Sequence, residues 1–141
     1  MCSNTLFIIF LGNASIHTFI WFRIDFKMMG PVLDESSKTL ERLPVSIYAS
    51  DKVACVRMAT EIADIIRSKQ VKGEKAILGL ATGASPIHVY KELVRLHIEE
   101  GLSFFNVVTF NLDEYFPMTA ESPLSYNFFM RYHLFNHIDV P

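Results

Sequence analysis

Residues 78–86 read Leu78-Gly79-Leu80-Ala81-Thr82-Gly83-Ala84-Ser85-Pro86. The apolar run Ala76 to Leu80 gives way to small and hydroxyl residues and then to a proline. Such a run has the composition of a buried parallel strand. Ser85 suits a helix N-cap and Pro86 the first helical position. Ile87, Tyr90, Leu93, Val94 and His97 then recur at helical spacing as far as Glu100, and Gly101 supplies a stop. One segment therefore spells strand, loop, helix, the repeating unit of a parallel α/β sheet.

The same unit recurs on either side. Upstream, Pro44 to Tyr48 reads as a short strand and Asp51 to Lys69 as a helix, with Ser50 or Asp51 as its cap. Cys55, Met58, Ile62, Ile65 and Ile66 form its apolar face. Downstream, Asn106 to Leu112 is a strand, and Ser122-Pro123 opens a helix expected to run to about His137. The aromatics of that helix, Tyr126, Phe128, Phe129, Tyr132 and Phe135, read as core packing. The fold class is α/β: a Rossmann-like parallel sheet with helices on both faces, cut short at the end of the chain.

Open α/β sheets bind ligands beyond the carboxyl ends of their strands. Two loops lie there. Thr82-Gly83-Ala84-Ser85 joins a strand to a helix N-terminus, where backbone N–H groups lack partners and the dipole favours an anion by typically ~0.3–1 kcal/mol. Gly83 admits close approach, and Thr82 and Ser85 add hydroxyls, so the loop suits phosphate. It is neither a P-loop nor a dinucleotide fingerprint. Read alone, it is equally an ordinary capped turn. The second loop carries Asp113-Glu114-Tyr115. A carboxylate at a strand end can act as a general base. Neighbours on an extended strand face opposite ways, so one of the two acids is expected to face the ligand.

Bulk properties narrow the class. The chain has 141 residues, half of them hydrophobic and 13% aromatic, enough for one cored domain. The 13 basic and 15 acidic residues leave no basic footprint for nucleic acid. The two cysteines, Cys2 and Cys55, make no disulfide framework, and Cys55 reads as a small buried hydrophobe. No metal-ligand spacing of Cys and His occurs.

Residues 1–42 read as a leader or linker outside the domain of residues 43–141. The stretch Thr5 to Phe22 is apolar but broken by Gly12, Asn13 and His17. A membrane helix usually needs about 20 predominantly apolar residues, and a signal peptide wants early basic residues. Three readings stay open: a membrane or signal segment, an extra structural element, or, favoured, a non-native upstream extension with Met28 and Met29 as internal starts. Gly30 to Leu43 is polar and linker-like.

Taken together, Leu78 to Pro86, Ser103 to Tyr115, Ser125-Tyr126 and Phe135-Asn136-His137-Ile138-Asp139 resemble glucosamine-6-phosphate deaminase, in order and at that family's spacing, from about Leu43 to Pro141. The resemblance is to the N-terminal portion of that family. It implies an enzyme of amino-sugar catabolism that turns glucosamine 6-phosphate into fructose 6-phosphate and ammonia without metal or other cofactor. It further implies a cytoplasmic location, no membrane partner and a homo-oligomer at full length. By the same resemblance Asp113 is the proton acceptor. Thr82, Gly83, Ala84 and Ser85 hold substrate and phosphate, and Glu114 and Tyr115 shape the site. Ala84 replaces the family's commoner glycine. The ring-opening histidine and the later basic phosphate clamp are expected beyond Pro141, and none of the five histidines takes that role. Two other readings remain: a 6-phosphogluconolactonase-like hydrolase, against which Tyr115 counts, and a non-catalytic sugar-phosphate-binding module. A sheet cut midway leaves an open edge and bare apolar faces, so the chain alone is expected to be poorly soluble or to need a partner.

Overall fold

The computed structural model describes residues 5–11, 18–25 and 45–141, with side-chain surroundings from Tyr48 onward. The element order is β1 (Thr5–Leu11), β2 (Thr18–Asp25), β3 (Val45–Ile47), α1 (Asp51–Val71), β4 (Ala76–Leu80), α2 (Ile87–Glu100), β5 (Val107–Asn111) and α3 (Tyr126–His133), then a 3₁₀ turn at Phe135–His137. The strands form one sheet in the order β3-β2-β1-β4-β5. β4 runs parallel to both neighbours, pairing Phe7 with Leu78 and Leu78 with Thr109, whereas β2 is antiparallel to β1 and to β3. The fold is thus α/β with a parallel centre and an antiparallel extension. The apolar stretch read three ways above supplies β1 and β2. Its β-branched and aromatic runs suit strands. The polar stretch Gly30 to Leu43 lies outside the described residues.

α1 starts at its expected cap, with the Ser50 hydroxyl accepting from the Val53 N–H at 3.4 Å. Gln70 and Lys69 carbonyls close its far end. α2 begins one residue later than its sequence suggests. Pro86 occupies the cap position, and Ser85 makes no capping bond. Gly101 ends α2 at φ +68°, a left-handed cap that glycine adopts without strain. α3 differs more. It starts at Tyr126 rather than Pro123, because Ser125 is the true cap. Buried Ser125 accepts from the Phe128 N–H at 2.9 Å and donates to the Ala120 carbonyl at 3.0 Å.

One core joins α1, α2 and the face of β4 that carries Ala76, Leu78 and Leu80, with Leu93, Leu96, Tyr90 and Phe104 buried among them. From α3 the core takes Met130, and just beyond it Leu134, one helical turn apart. The aromatic core expected of α3 is therefore only partly there. Phe129 and Phe135 pack against the core, but Phe128 and Tyr132 are exposed and Tyr126 is half-buried. Helix phase decides this: the residues four apart that point inward are Met130 and Leu134.

On β5 the helical cover expected on both faces is met, among the described residues, on one. Val107 is buried, while Val108 is 37% and Phe110 58% exposed, with Leu112 exposed beyond them. β5 is also the last strand in the sheet order.

Candidate active site

β4 and β5 are parallel neighbours with Leu80 opposite Asn111. Ala81-Thr82 and Leu112-Asp113 therefore leave the sheet side by side at its carboxyl edge. The two loops singled out in the sequence share one crevice, as the parallel register requires.

The first loop is fastened from beneath. Tyr90, fully buried on α2, donates its phenol hydrogen to the Ala81 carbonyl at 2.5 Å. Burial pushes this phenol far above its ordinary pKa, so it remains a donor. Gly83 takes φ +103°, and Thr82 is half-buried while Gly83, Ala84 and Ser85 are exposed. The first turn of α2 holds no acidic residue and no side-chain cap. Its unpaired N–H groups and positive dipole end are left open to an external anion. The unspent Ser85 hydroxyl lies beside them.

The N-terminus of α3 is closed instead. The Glu114 carboxylate accepts from the N–H groups of Tyr126 and Asn127, and from Tyr115, each at 3.0 Å. Its bond from Tyr126, helped by those from Asn127 and Tyr115, holds Glu114 below the usual carboxylate range despite some burial. The two acids thus separate as strand geometry predicts. Glu114 turns to α3, and Asp113 stays exposed and accepts no hydrogen bond among the described residues.

Tyr126 is the site residue that sequence reasoning missed. Its hydroxyl donates to the Tyr115 hydroxyl at 3.1 Å, with the rings 4.9 Å apart. It also lies within hydrogen-bonding reach of Thr82. The Tyr115 bond, then burial, then the Asp113 charge raise the Tyr126 phenol above its ordinary pKa, against the Thr82 contact. Tyr126 therefore stands between the Thr82 loop and the Asp113-Glu114-Tyr115 loop. The only sequence signal was its place in the Ser125-Tyr126 motif. No described histidine reaches this crevice: His88 is an exposed residue of α2, His97 bonds the Leu102 carbonyl, and His133 and His137 line a groove elsewhere.

No protein-family model matches the chain. A glucosamine-6-phosphate deaminase-like protein of Bacteroides thetaiotaomicron is 46% identical over 101 residues, 72% of this chain and 15% of that protein. Glucosamine-6-phosphate deaminase 2 of Giardia intestinalis is 49% identical over 62% of this chain and 32% of its own length. The Bacillus velezensis glucosamine-6-phosphate deaminase is 51% identical over 59% of this chain. The chain is a partial-length relative of the glucosamine-6-phosphate deaminases. A solved monomeric glucosamine-6-phosphate deaminase superposes with a TM-score of 0.61 at 41% identity, over 65% of this chain and 36% of that one. The chain thus spans from 15% to about a third of the length of these deaminases (33% of the Bacillus velezensis enzyme). No helix among the described residues is long and apolar enough to cross a membrane.

Proposed function

We propose that this chain carries the phosphate cradle and proton acceptor of a glucosamine-6-phosphate deaminase. Its reaction would convert glucosamine 6-phosphate and water into fructose 6-phosphate and ammonia. The observation that carries the reading is the open N-terminus of α2 beside the unbonded Asp113 carboxylate. A sugar phosphate seated with its phosphate on Thr82, Gly83, Ala84 and Ser85 presents its other end to Asp113. Asp113 takes the C2 proton of the open-chain sugar and returns it at C1. The C2–N bond becomes an imine, which water hydrolyses to the ketone with release of ammonia. Glu114, Tyr115 and Tyr126 hold the carboxylate loop in place. The reading includes no cofactor, a cytoplasmic location and a homo-oligomer, although the solved neighbour is described as monomeric.

A second reading, sugar-phosphate binding without turnover, draws on the lack of a described histidine at the crevice. One pair of measurements separates the two. Ammonia release from glucosamine 6-phosphate, falling about 10²–10⁴-fold in Asp113→Asn, supports the enzyme. Calorimetric binding without ammonia release supports the second reading. Activity that survives Asp113→Asn refutes the proposed base.

A further inference from the structure

Away from the crevice, a groove of about 420 Å³ lies between α2 and the end of α3, lined by Lys91, Val94, Tyr132, His133, Asn136 and His137. Lys91 comes from α2, Tyr132 and His133 from α3, and His137 from the 3₁₀ turn. Three cationic or protonatable side chains converge there, and no carboxylate among the described residues lines the groove. Arg57 is paired with Glu61, Arg67 with Asp64 and Glu100, and Arg95 with Glu92, Glu99 and Glu100. Lys91 has no hydrogen bond or ion pair among the described residues. The acid next to it in sequence, Glu92, is already bonded twice by Arg95.

We propose that this groove is a second anion site, for a small dianion of the phosphate or phosphate-monoester class, bound by Lys91, His133 and His137. The donors suit that class. Lys91 supplies a point charge. His137 Nε2 faces the Tyr132 carbonyl at 3.0 Å, an acceptor only, so Nε2 carries the hydrogen. Its Nδ1 becomes a further donor on protonation. The Asn136 side chain adds a neutral amide at the rim. Like charges held together without a counter-ion repel, and a bound dianion relieves that repulsion. Consistent with this, burial first, then Lys91 and His137, hold His133 below its ordinary pKa. An anion raises that pKa again, so binding takes up a proton and strengthens as pH falls. The site does not depend on the proposed deaminase chemistry.

The test is titration of the 141-residue chain with inorganic phosphate at constant ionic strength, followed by NMR of the histidine rings. The expected result is saturable shifts at His133 and His137 at about pH 6, with affinity, referred to the concentration of the phosphate dianion, lower near pH 8. Lys91→Ala and, separately, His133→Asn should each weaken these shifts about tenfold or more. Gly83→Ala, which perturbs the other anion loop, should leave them in place, so failure of the crevice and failure of the groove are read separately. Unmoved rings, the same shifts with chloride, or the same affinity in Lys91→Ala would each overturn the proposal.

Discussion

Replacing Gly83 by alanine isolates the backbone requirement of the proposed phosphate loop. Gly83 sits at φ +103°, and a Cβ added there would meet nothing within 4 Å. Steric clash with neighbours is therefore absent, and the cost is conformational alone, roughly 1–3 kcal/mol. Gly101 provides the internal control. It has φ +68° at the end of α2, its Cβ would also meet nothing within 4 Å, and it lies a whole helix away from the crevice. Its replacement by alanine should cost roughly 1–2 kcal/mol. With a urea dependence of about 1–3 kcal/mol per molar, both variants should lower the unfolding midpoint by roughly 0.5–1.5 M. Ligand binding separates them. A strained loop that relaxes swings its N–H groups away from the anion, so Gly83→Ala should weaken glucosamine 6-phosphate binding by calorimetry about tenfold or more, equivalent to about 1.4 kcal/mol. Gly101→Ala should bind as the parent does. The reasoning is refuted if Gly83→Ala unfolds and binds unchanged, or if Gly101→Ala loses affinity equally.

Two further outcomes follow from the geometry. Glu114→Gln leaves one amide oxygen where two carboxylate oxygens served three N–H groups, so amide exchange at Tyr126 and Asn127 should accelerate while that of the α1 core amides does not change. Asp139 gives a pH signature. Burial disfavours its charge, but the Ser103 hydroxyl at 2.5 Å, the Phe104 N–H at 2.6 Å, its own backbone and His97 outweigh that and hold its pKa down. The folded pKa lies below the unfolded one, so the stabilisation is complete above the ordinary carboxylate range, about 3.9, and is lost as pH falls through the folded value. Asp139→Asn should flatten the acid limb of stability measured by urea unfolding between about pH 5 and pH 2, and an unchanged limb would refute the assignment.

The parallel centre of the fold was legible because its signals are local. β4 and β5 are short apolar runs bounded by turn residues, α1 has its Ser50 cap, α2 its Gly101 stop, and both helices carry an apolar face. The start of α3 was not. Ser122-Pro123 and Ser125 both satisfy the local rule for a cap, and the choice falls to Ser125 because the Ala120 carbonyl and the Glu114 carboxylate wait for it and its neighbours. The pairing of β1 with β4 joins residues some seventy positions apart, Phe7 with Leu78, which no local pattern encodes. At the candidate site, the places of Thr82 and Asp113 just past strand ends could be read. Tyr126 could not, since an aromatic at helical spacing looks the same whether its ring fills a core or its hydroxyl faces a crevice.

The bond from Tyr90 to the Ala81 carbonyl has a thermodynamic meaning beyond holding a loop. It closes a ring of covalent and hydrogen bonds from residue 81 through the turn and back down the first turn of α2. The segment inside that ring gives up its freedom when the chain folds, not when the ligand arrives. Ordering costs of about 0.5–1.5 kcal/mol per immobilised side chain or more for a loop are then absent from the binding step. Affinity for a small anion, which offers little surface to offset such costs, would depend on that prior ordering as much as on any donor that touches it.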